Sequence, residues 1–154
     1  MDDRTRIAAL GRLEALVGEW ATESVFSFSP EPTRGRVTFA WELGGRFLLE
    51  RSQVGHPDAP DSLAVIAVSE VTEDGYAQHY FDSRGVVRTY RMTLGDDTWT
   101  LMRDRPDFTA LDFAQRYTGT FGADGQTITG RWEVSHDGGA TWEHDFDLRY
   151  RKVR

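Results

Sequence analysis

From Trp20 onward, apolar and polar residues alternate with a period of two, and turn-forming residues interrupt this alternation about every ten positions. Val37, Phe39 and Trp41, for example, share one side of an extended segment. Glycine and aspartate cluster between such segments, at 44–45, 73–75, 83–85, 95–97, 123–125 and 137–139. Connections this short join antiparallel neighbours, so the sequence predicts a meander of about ten strands.

One short helix precedes the predicted strands. Its apolar residues recur at helical spacing, at Ile7, Leu10, Leu13, Leu16 and Val17. A chain of 154 residues suits one domain, so we assign residues 1–154 to a single lipocalin-like barrel domain. A meander must hide its edge strands, and closure into an all-β, antiparallel up-and-down barrel does so; an open sandwich is the alternative.

Composition narrows the classes of function. The net charge of −7 opposes nonspecific binding to nucleic acid, which needs a basic face. The chain has no cysteine, so disulfides, thiolate zinc sites and a cysteine nucleophile are excluded. No apolar run approaches the roughly 20 residues of a membrane span, and no signal-peptide pattern opens the chain. We therefore expect a cytoplasmic protein without membrane or nucleic-acid partners; its oligomeric state is open.

The residues after the helix carry a family resemblance. Gly18-Glu19-Trp20, which opens the first strand, resembles the G-x-W of the calycin superfamily, the lipocalins and fatty-acid-binding proteins. That resemblance implies an arginine from the last strand packed across the tryptophan, and Arg149 or Arg151 could match it. The longer pattern LVGEW, WELGGRFLLE and TITGRWEVS is similar to a bacterial lipocalin-like family of unknown function, DUF1579.

The segment SHDGGATW, residues 135–142, matches the Asp-box signature of sialidases, S-x-D-x-G-x-T-W. Sialidase Asp boxes recur once in each blade of a propeller, whereas this chain has one copy and no repeat. We therefore interpret the motif as the turn of a β-hairpin. The Asp137 carboxylate is expected to accept backbone N–H groups, and the glycines to supply positive φ angles.

Polar residues in phase with apolar neighbours indicate which side chains enter the barrel. Arg88 and Tyr90 share a face in the sixth strand, and Gln115 and Tyr117 share one in the eighth. Arg88-x-Tyr90 is similar to the Arg-x-Tyr pair that holds the carboxylate in fatty-acid-binding proteins, and a guanidinium suits such an anion. We predict a small, mostly apolar, anionic ligand, with an apolar wall formed by Trp41, Trp132 and Phe146.

The third strand has two competing phases. In one, Phe47 and Leu49 are followed inward by Arg51, which would join the ligand-binding residues. In the other, Leu48 and Val54 face inward. The sequence leaves the choice open.

His144 offers an alternative function. It lies seven residues before Arg151, a spacing similar to that of the haem-ligating histidine and a late arginine in nitrobindins. That resemblance implies haem held by His144, which would make it a ligand-binding residue. From the residues alone, a hydrogen-bonded core histidine is the other interpretation, and we expect no metal or cofactor.

No motif in the sequence indicates a catalytic role. The acids Glu42, Glu50 and Asp112 are expected opposite the apolar rows or at strand ends, and no nucleophile elbow or phosphate loop occurs. A small cofactor-free isomerase or cyclase remains an alternative, because holding a flexible substrate in a folded pose can accelerate a unimolecular step. We name no catalytic residue.

Overall fold

The computed structural model describes residues 1–27, 29–71 and 75–154, so part of the predicted turn at 73–75 lies outside the described residues. Within them the chain forms the helix α1 (Asp3–Arg12), a 3₁₀ turn (Leu13–Ala15) and ten strands. The strands are β1 (Gly18–Phe26), β2 (Thr33–Glu42), β3 (Phe47–Val54), β4 (Ser62–Val68), β5 (Gly75–Asp82), β6 (Val87–Leu94), β7 (Thr98–Arg103), β8 (Ala114–Phe121), β9 (Thr127–Ser135) and β10 (Glu143–Lys152).

The strands close into one antiparallel barrel in which each strand pairs with its sequence neighbours. Pairing of β1 with β10 completes the closure, with Trp20 opposite Lys152 at one end and Phe26 opposite Phe146 at the other. The up-and-down barrel with an N-terminal helix is thus confirmed, and the open sandwich is not formed. Closure leaves every strand with two partners, which removes the exposed edges of the meander.

Helix α1 covers one end of the barrel. Asp2 caps it by accepting a hydrogen bond from the backbone N–H of Thr5 at 2.8 Å. Ala9, Leu13 and Leu16 are buried on the side that faces the strands. The Tyr76 hydroxyl, from β5, donates to the carbonyl oxygen of Ala9 at 2.6 Å and ties the helix to the sheet. No helix in the described residues is long and apolar enough to cross a membrane.

Aromatic side chains fill the barrel beneath the helix. Trp20 meets Tyr150 edge to face at 6.3 Å, and Trp99 lies between Phe39 (6.2 Å) and Tyr150 (5.7 Å). The Trp20 indole N–H donates to the carbonyl oxygen of Leu16 at 2.8 Å. This packing closes the interior at the helix end, which we call the closed end.

The cation over Trp20 is a lysine. The ammonium of Lys152 lies 5.4 Å from the centre of the Trp20 ring. Arg149 and Arg151 are exposed, so neither takes the position implied by the calycin resemblance. Lysine takes the place of the expected arginine because Lys152 lies directly opposite Trp20 in the pairing of β1 with β10. Residues that lie opposite each other share one face of the sheet.

The Asp-box residues form the turn between β9 and β10. The Asp137 carboxylate accepts the Thr141 hydroxyl, the backbone N–H of Thr141 and the Ser135 hydroxyl, the last two at 2.8 Å. These bonds, the first of them most, lower the pKa of Asp137 to about 2. Gly138 and Gly139 have φ angles of 72° and 92°, which glycine adopts without strain. The motif is therefore the turn of a β-hairpin, as its sequence predicts.

Candidate functional site

A cavity of about 640 Å³ lies in the barrel between the aromatic closed end and the opposite, open end. This volume is in the range of sites for small organic ligands. The interior therefore has space that the core side chains leave unfilled. Its wall combines aromatic and aliphatic side chains with nearly as many polar ones, which include the carboxyl groups of Glu50, Asp58 and Asp145.

Arg88 enters this cavity from β6 and has no carboxylate partner among the described residues. Its buried Nε atom makes no hydrogen bond with any residue that the structure describes, and its guanidinium lies 5.7 Å from the ring centre of Phe113. The arginine is partly buried, and a cation that has lost part of its contact with water without gaining a carboxylate favours an anionic occupant.

Tyr90 and Gln115 lie beside Arg88. The Tyr90 hydroxyl donates to Oε1 of Gln115 at 3.1 Å. Burial raises the pKa of Tyr90, and the neighbouring Arg88 guanidinium opposes part of that rise. Tyr90 therefore stays a neutral hydroxyl, and with Gln115 it forms a polar patch next to the arginine.

Two of the three residues predicted for the apolar wall, Trp132 and Phe146, line the cavity. Trp132 lies 5.3 Å from Tyr117, 5.6 Å from Tyr90 and 6.4 Å from Phe146, measured between ring centres. The structure thus brings six of the predicted residues to one cavity: Arg88, Tyr90, Gln115, Tyr117, Trp132 and Phe146.

A second arginine of the cavity differs from Arg88 in being paired. Arg84 donates to the Asp82 carboxylate from Nη2 at 2.7 Å, and the Tyr80 hydroxyl donates to the same carboxylate at 2.8 Å. These bonds lower the pKa of Asp82, although its burial opposes them. Arg84 is neutralised, which leaves Arg88 as the cavity cation without an anion among the described residues.

Beside Arg88, a buried ion pair fixes the loop at 104–113. Arg103, at the end of β7, is 3% exposed and binds Asp107 through Nε and Nη2 at 3.0 and 3.1 Å. Asp107 also accepts the backbone N–H of Thr89 at 2.8 Å, and together these bonds hold its pKa well below the usual range. The sequence reading missed Arg103, although its phase with Trp99 and Leu101 was a signal that it faces inward.

Glu50 is the carboxyl group that sequence reasoning misplaced. On β3 the inward phase is Leu48, Glu50 and Ser52, so Glu50 lines the cavity. It makes no hydrogen bond or ion pair with the described residues, and burial raises its pKa to about 7. Glu50 lies opposite Phe39 of β2, next to the closed end. Burial raises the pKa of Tyr117 and Tyr150, and the charge of Glu50 adds to both rises.

Glu50 predicts a measurable dependence of stability on pH. Its pKa of about 7 in the folded state exceeds the usual 4.5, so the folded protein holds an extra proton between these values. The free energy of unfolding should therefore fall as pH rises through this window. Glu50→Gln should raise the free energy of unfolding by roughly 3 kcal/mol near pH 8 and leave it unchanged near pH 4, because the rise from 4.5 to about 7 is worth about 1.4 kcal/mol for each pKa unit.

Urea unfolding at both pH values measures this difference. Glu143→Gln, an exposed carboxylate on β10, is the matched control and should change neither value. Equal effects of the two substitutions at pH 8 would show that Glu50 is not desolvated.

Three predicted residues lie away from the cavity. Arg51 has the outward phase of β3 and is exposed. The Trp41 indole N–H donates to the carboxylate of Glu14 at 2.7 Å, outside the barrel interior at the closed end. His144 is 40% exposed, with Nε2 at 2.9 Å from Oδ1 of Asp147.

A β-bulge explains the position of His144. The register of β10 against β9 shifts between His144 and Phe146, so Asp145 and Phe146 both line the cavity and His144 faces outward. The residues present do not fit a haem held by His144, because that imidazole is outside the cavity and next to a carboxylate. His56 and His136 line the cavity instead.

Together, the closed sheet and its interior define an antiparallel β-barrel with a ligand-sized cavity. No family model and no curated protein matches the sequence. Among solved structures, the chain is similar to Rv2717c from M. tuberculosis, with a TM-score of 0.68 and 18% sequence identity. The match covers 95% of this chain and 98% of that chain, and at this identity it shows the fold alone.

Proposed function

We propose that the barrel binds a small, mostly apolar ligand whose anionic group lies against Arg88. The observation that carries this proposal is the guanidinium inside the cavity without a carboxylate partner in the described residues. Tyr90 and Gln115 orient the anion, and Trp132 and Phe146 contact the apolar part. This is the ligand chemistry of fatty-acid-binding proteins, which belong to the calycin superfamily that the chain resembles in Gly18-Glu19-Trp20.

To test this proposal, the affinities for a dansyl-labelled undecanoic acid and for its methyl ester are measured by fluorescence titration. Arg88→Met should weaken binding of the acid tenfold or more, about 1.4 kcal/mol, because the carboxylate loses its cation. The ester carries no charge, so its affinity should change much less.

Arg91→Met is the matched control, since Arg91 lies on the same strand but on the outer face, paired with Asp104. It should leave both affinities unchanged. Circular dichroism should show the same fold in all three proteins. Equal affinity of wild type and Arg88→Met for the acid would contradict the proposal.

A further inference from the structure

Besides Arg88, the cavity wall carries acidic side chains that the proposed anion does not explain. Three carboxyl groups line it, those of Glu50, Asp58 and Asp145. The one further arginine of the wall among the described residues, Arg84, is already paired with a carboxylate. An occupant that brings only a negative charge therefore satisfies Arg88 and leaves the acidic groups of the cavity without a partner.

Glu50 lies deeper in the barrel than the other two carboxyl groups. It is on the inward face of β3, opposite Phe39 of β2 and Ala64 of β4, so its neighbours along the wall are apolar. It forms no hydrogen bond or ion pair with the described residues. Its side chain is only partly buried and lines the cavity, so an occupant can reach the carboxyl group.

No cation of the described residues compensates the Glu50 carboxylate. Burial raises the pKa of Glu50 to about 7, and no positive side chain opposes that rise. The titratable groups that face it across the barrel are the phenols of Tyr117 and Tyr150, which are neutral at this pH because burial raises the pKa of both. The carboxyl group can therefore ionise when a cation enters the cavity.

Glu50 and Arg88 line the same cavity but do not pair with each other. Pairing across neighbouring strands runs from Glu50 to Ala64, Tyr80 and then Arg88, so three strand spacings separate their backbones, about 14 Å along the wall. Both side chains point inward, which brings their charged ends closer together than this. A single small molecule can therefore contact both groups.

We propose that the occupant is a zwitterion, a carboxylate that also carries an ammonium group, with the carboxylate at Arg88 and the ammonium at Glu50. This inference deepens the proposed function and rests on it, because Arg88 holds the anionic group. An ammonium is a donor only and a carboxylate an acceptor only, so the two form charge-assisted hydrogen bonds. A plain acid leaves Glu50 unpaired, and a dicarboxylate brings a like charge to it.

Calorimetric titration with pairs of acids tests this inference. Each pair consists of a plain acid and its ω-amino form, of the hexanoic, octanoic and decanoic series. At the chain length that reaches both charges, wild type should bind the amino acid at least tenfold more tightly than the plain acid. A cavity without an acidic partner would give the opposite order, because burying an unpaired ammonium is costly. Glu50→Gln should therefore reduce the preference to less than threefold.

Asp145→Asn is the matched control. Asp145 also lines the cavity without a hydrogen bond or ion pair to the described residues, but it lies at the open end, where β10 begins. The Asp145→Asn protein should keep the tenfold preference for the amino acid. A preference that survives in Glu50→Gln, whether or not Asp145→Asn removes it, overturns the assignment of the ammonium to Glu50.

Proton release gives an independent readout of the same contact. At pH 6 most Glu50 carboxyl groups hold a proton, since their pKa is about 7. An ammonium bound at Glu50 should release about one proton per ligand, which titrations in two buffers of different ionisation enthalpy measure. The plain acid should release almost none, as should either ligand with Glu50→Gln. Tight binding of the amino acid to wild type without proton release would contradict the contact.

Arg88→Met separates the two proposals, because it should weaken both acids of a pair equally and leave their ratio unchanged. If the plain acids bind and depend on Arg88 but the amino acids bind no more tightly at any length, the proposed function stands and this inference is wrong. If no acid of either kind binds, the proposed function fails and this inference fails with it.

Discussion

Arg103→Met is expected to lower the free energy of unfolding by about 3–5 kcal/mol. The substitution leaves the Asp107 carboxylate without its cation, and removing one partner of a buried ion pair costs this much. It also removes the hydrogen bond from Nη2 to the carbonyl oxygen of Thr109, at 3.1 Å. Denaturant unfolding measures the loss.

Two comparison proteins isolate the cause. Arg91 and Asp104 form a pair of similar geometry at the surface, 46% and 40% exposed, so Arg91→Met should cost less than about 1 kcal/mol. Adding Asp107→Leu to Arg103→Met should recover part of the lost stability, because no unpaired charge then remains buried. A loss for Arg103→Met no larger than that for Arg91→Met would mean that the loop at 104–113 is not fixed by this pair.

The second large effect is expected at Gly130. Gly130→Ala should lower the free energy of unfolding by about 3 kcal/mol, at the upper end for overpacking a core, because the new methyl group overlaps the Tyr117 ring. The ring must then move into the cavity, so the affinity for the dansyl acid should fall as well. Denaturant unfolding and the fluorescence titration measure the two effects.

The clash with Tyr117 can be separated from the loss of glycine itself. In a Tyr117→Leu background, Gly130→Ala should cost less than about 1 kcal/mol, since the ring is gone. Gly11→Ala, in α1 where a Cβ meets no atom within 4 Å, should instead stabilise the protein by about 0.5–1 kcal/mol. Equal costs of Gly130→Ala with and without Tyr117 would contradict the proposed packing.

The barrel could be predicted because the features that produce it lie in short segments of the sequence. Alternation with a period of two and short turns imply antiparallel neighbours, and closure follows from the need to remove edges. The same alternation placed Arg88 and Tyr90 on the inner face of β6, and Gln115 and Tyr117 on the inner face of β8. In these strands the apolar residues are unevenly divided between the faces, so the phase is clear.

Glu50 and His144 were not predictable, for different physical reasons. β3 has apolar residues in both phases, and only its pairing with β2 and β4 turns Leu48 and Glu50 inward and Arg51 outward. On β10 the bulge before Phe146 reverses the phase within the strand. A bulge depends on the fit between two strands, which a single strand's sequence does not encode.

Binding of an anion to the guanidinium of Arg88 can be observed at the arginine itself. The most direct measurement follows the arginine Nε–H signals in a proton–nitrogen correlation spectrum during titration with dodecanoate; the Arg88 signal is assigned by its loss in Arg88→Met. We expect the Arg88 signal to move downfield on binding, while that of Arg91 stays in place. Binding of dodecanoate without movement of the Arg88 signal would contradict it, as would a titration in which no signal moves.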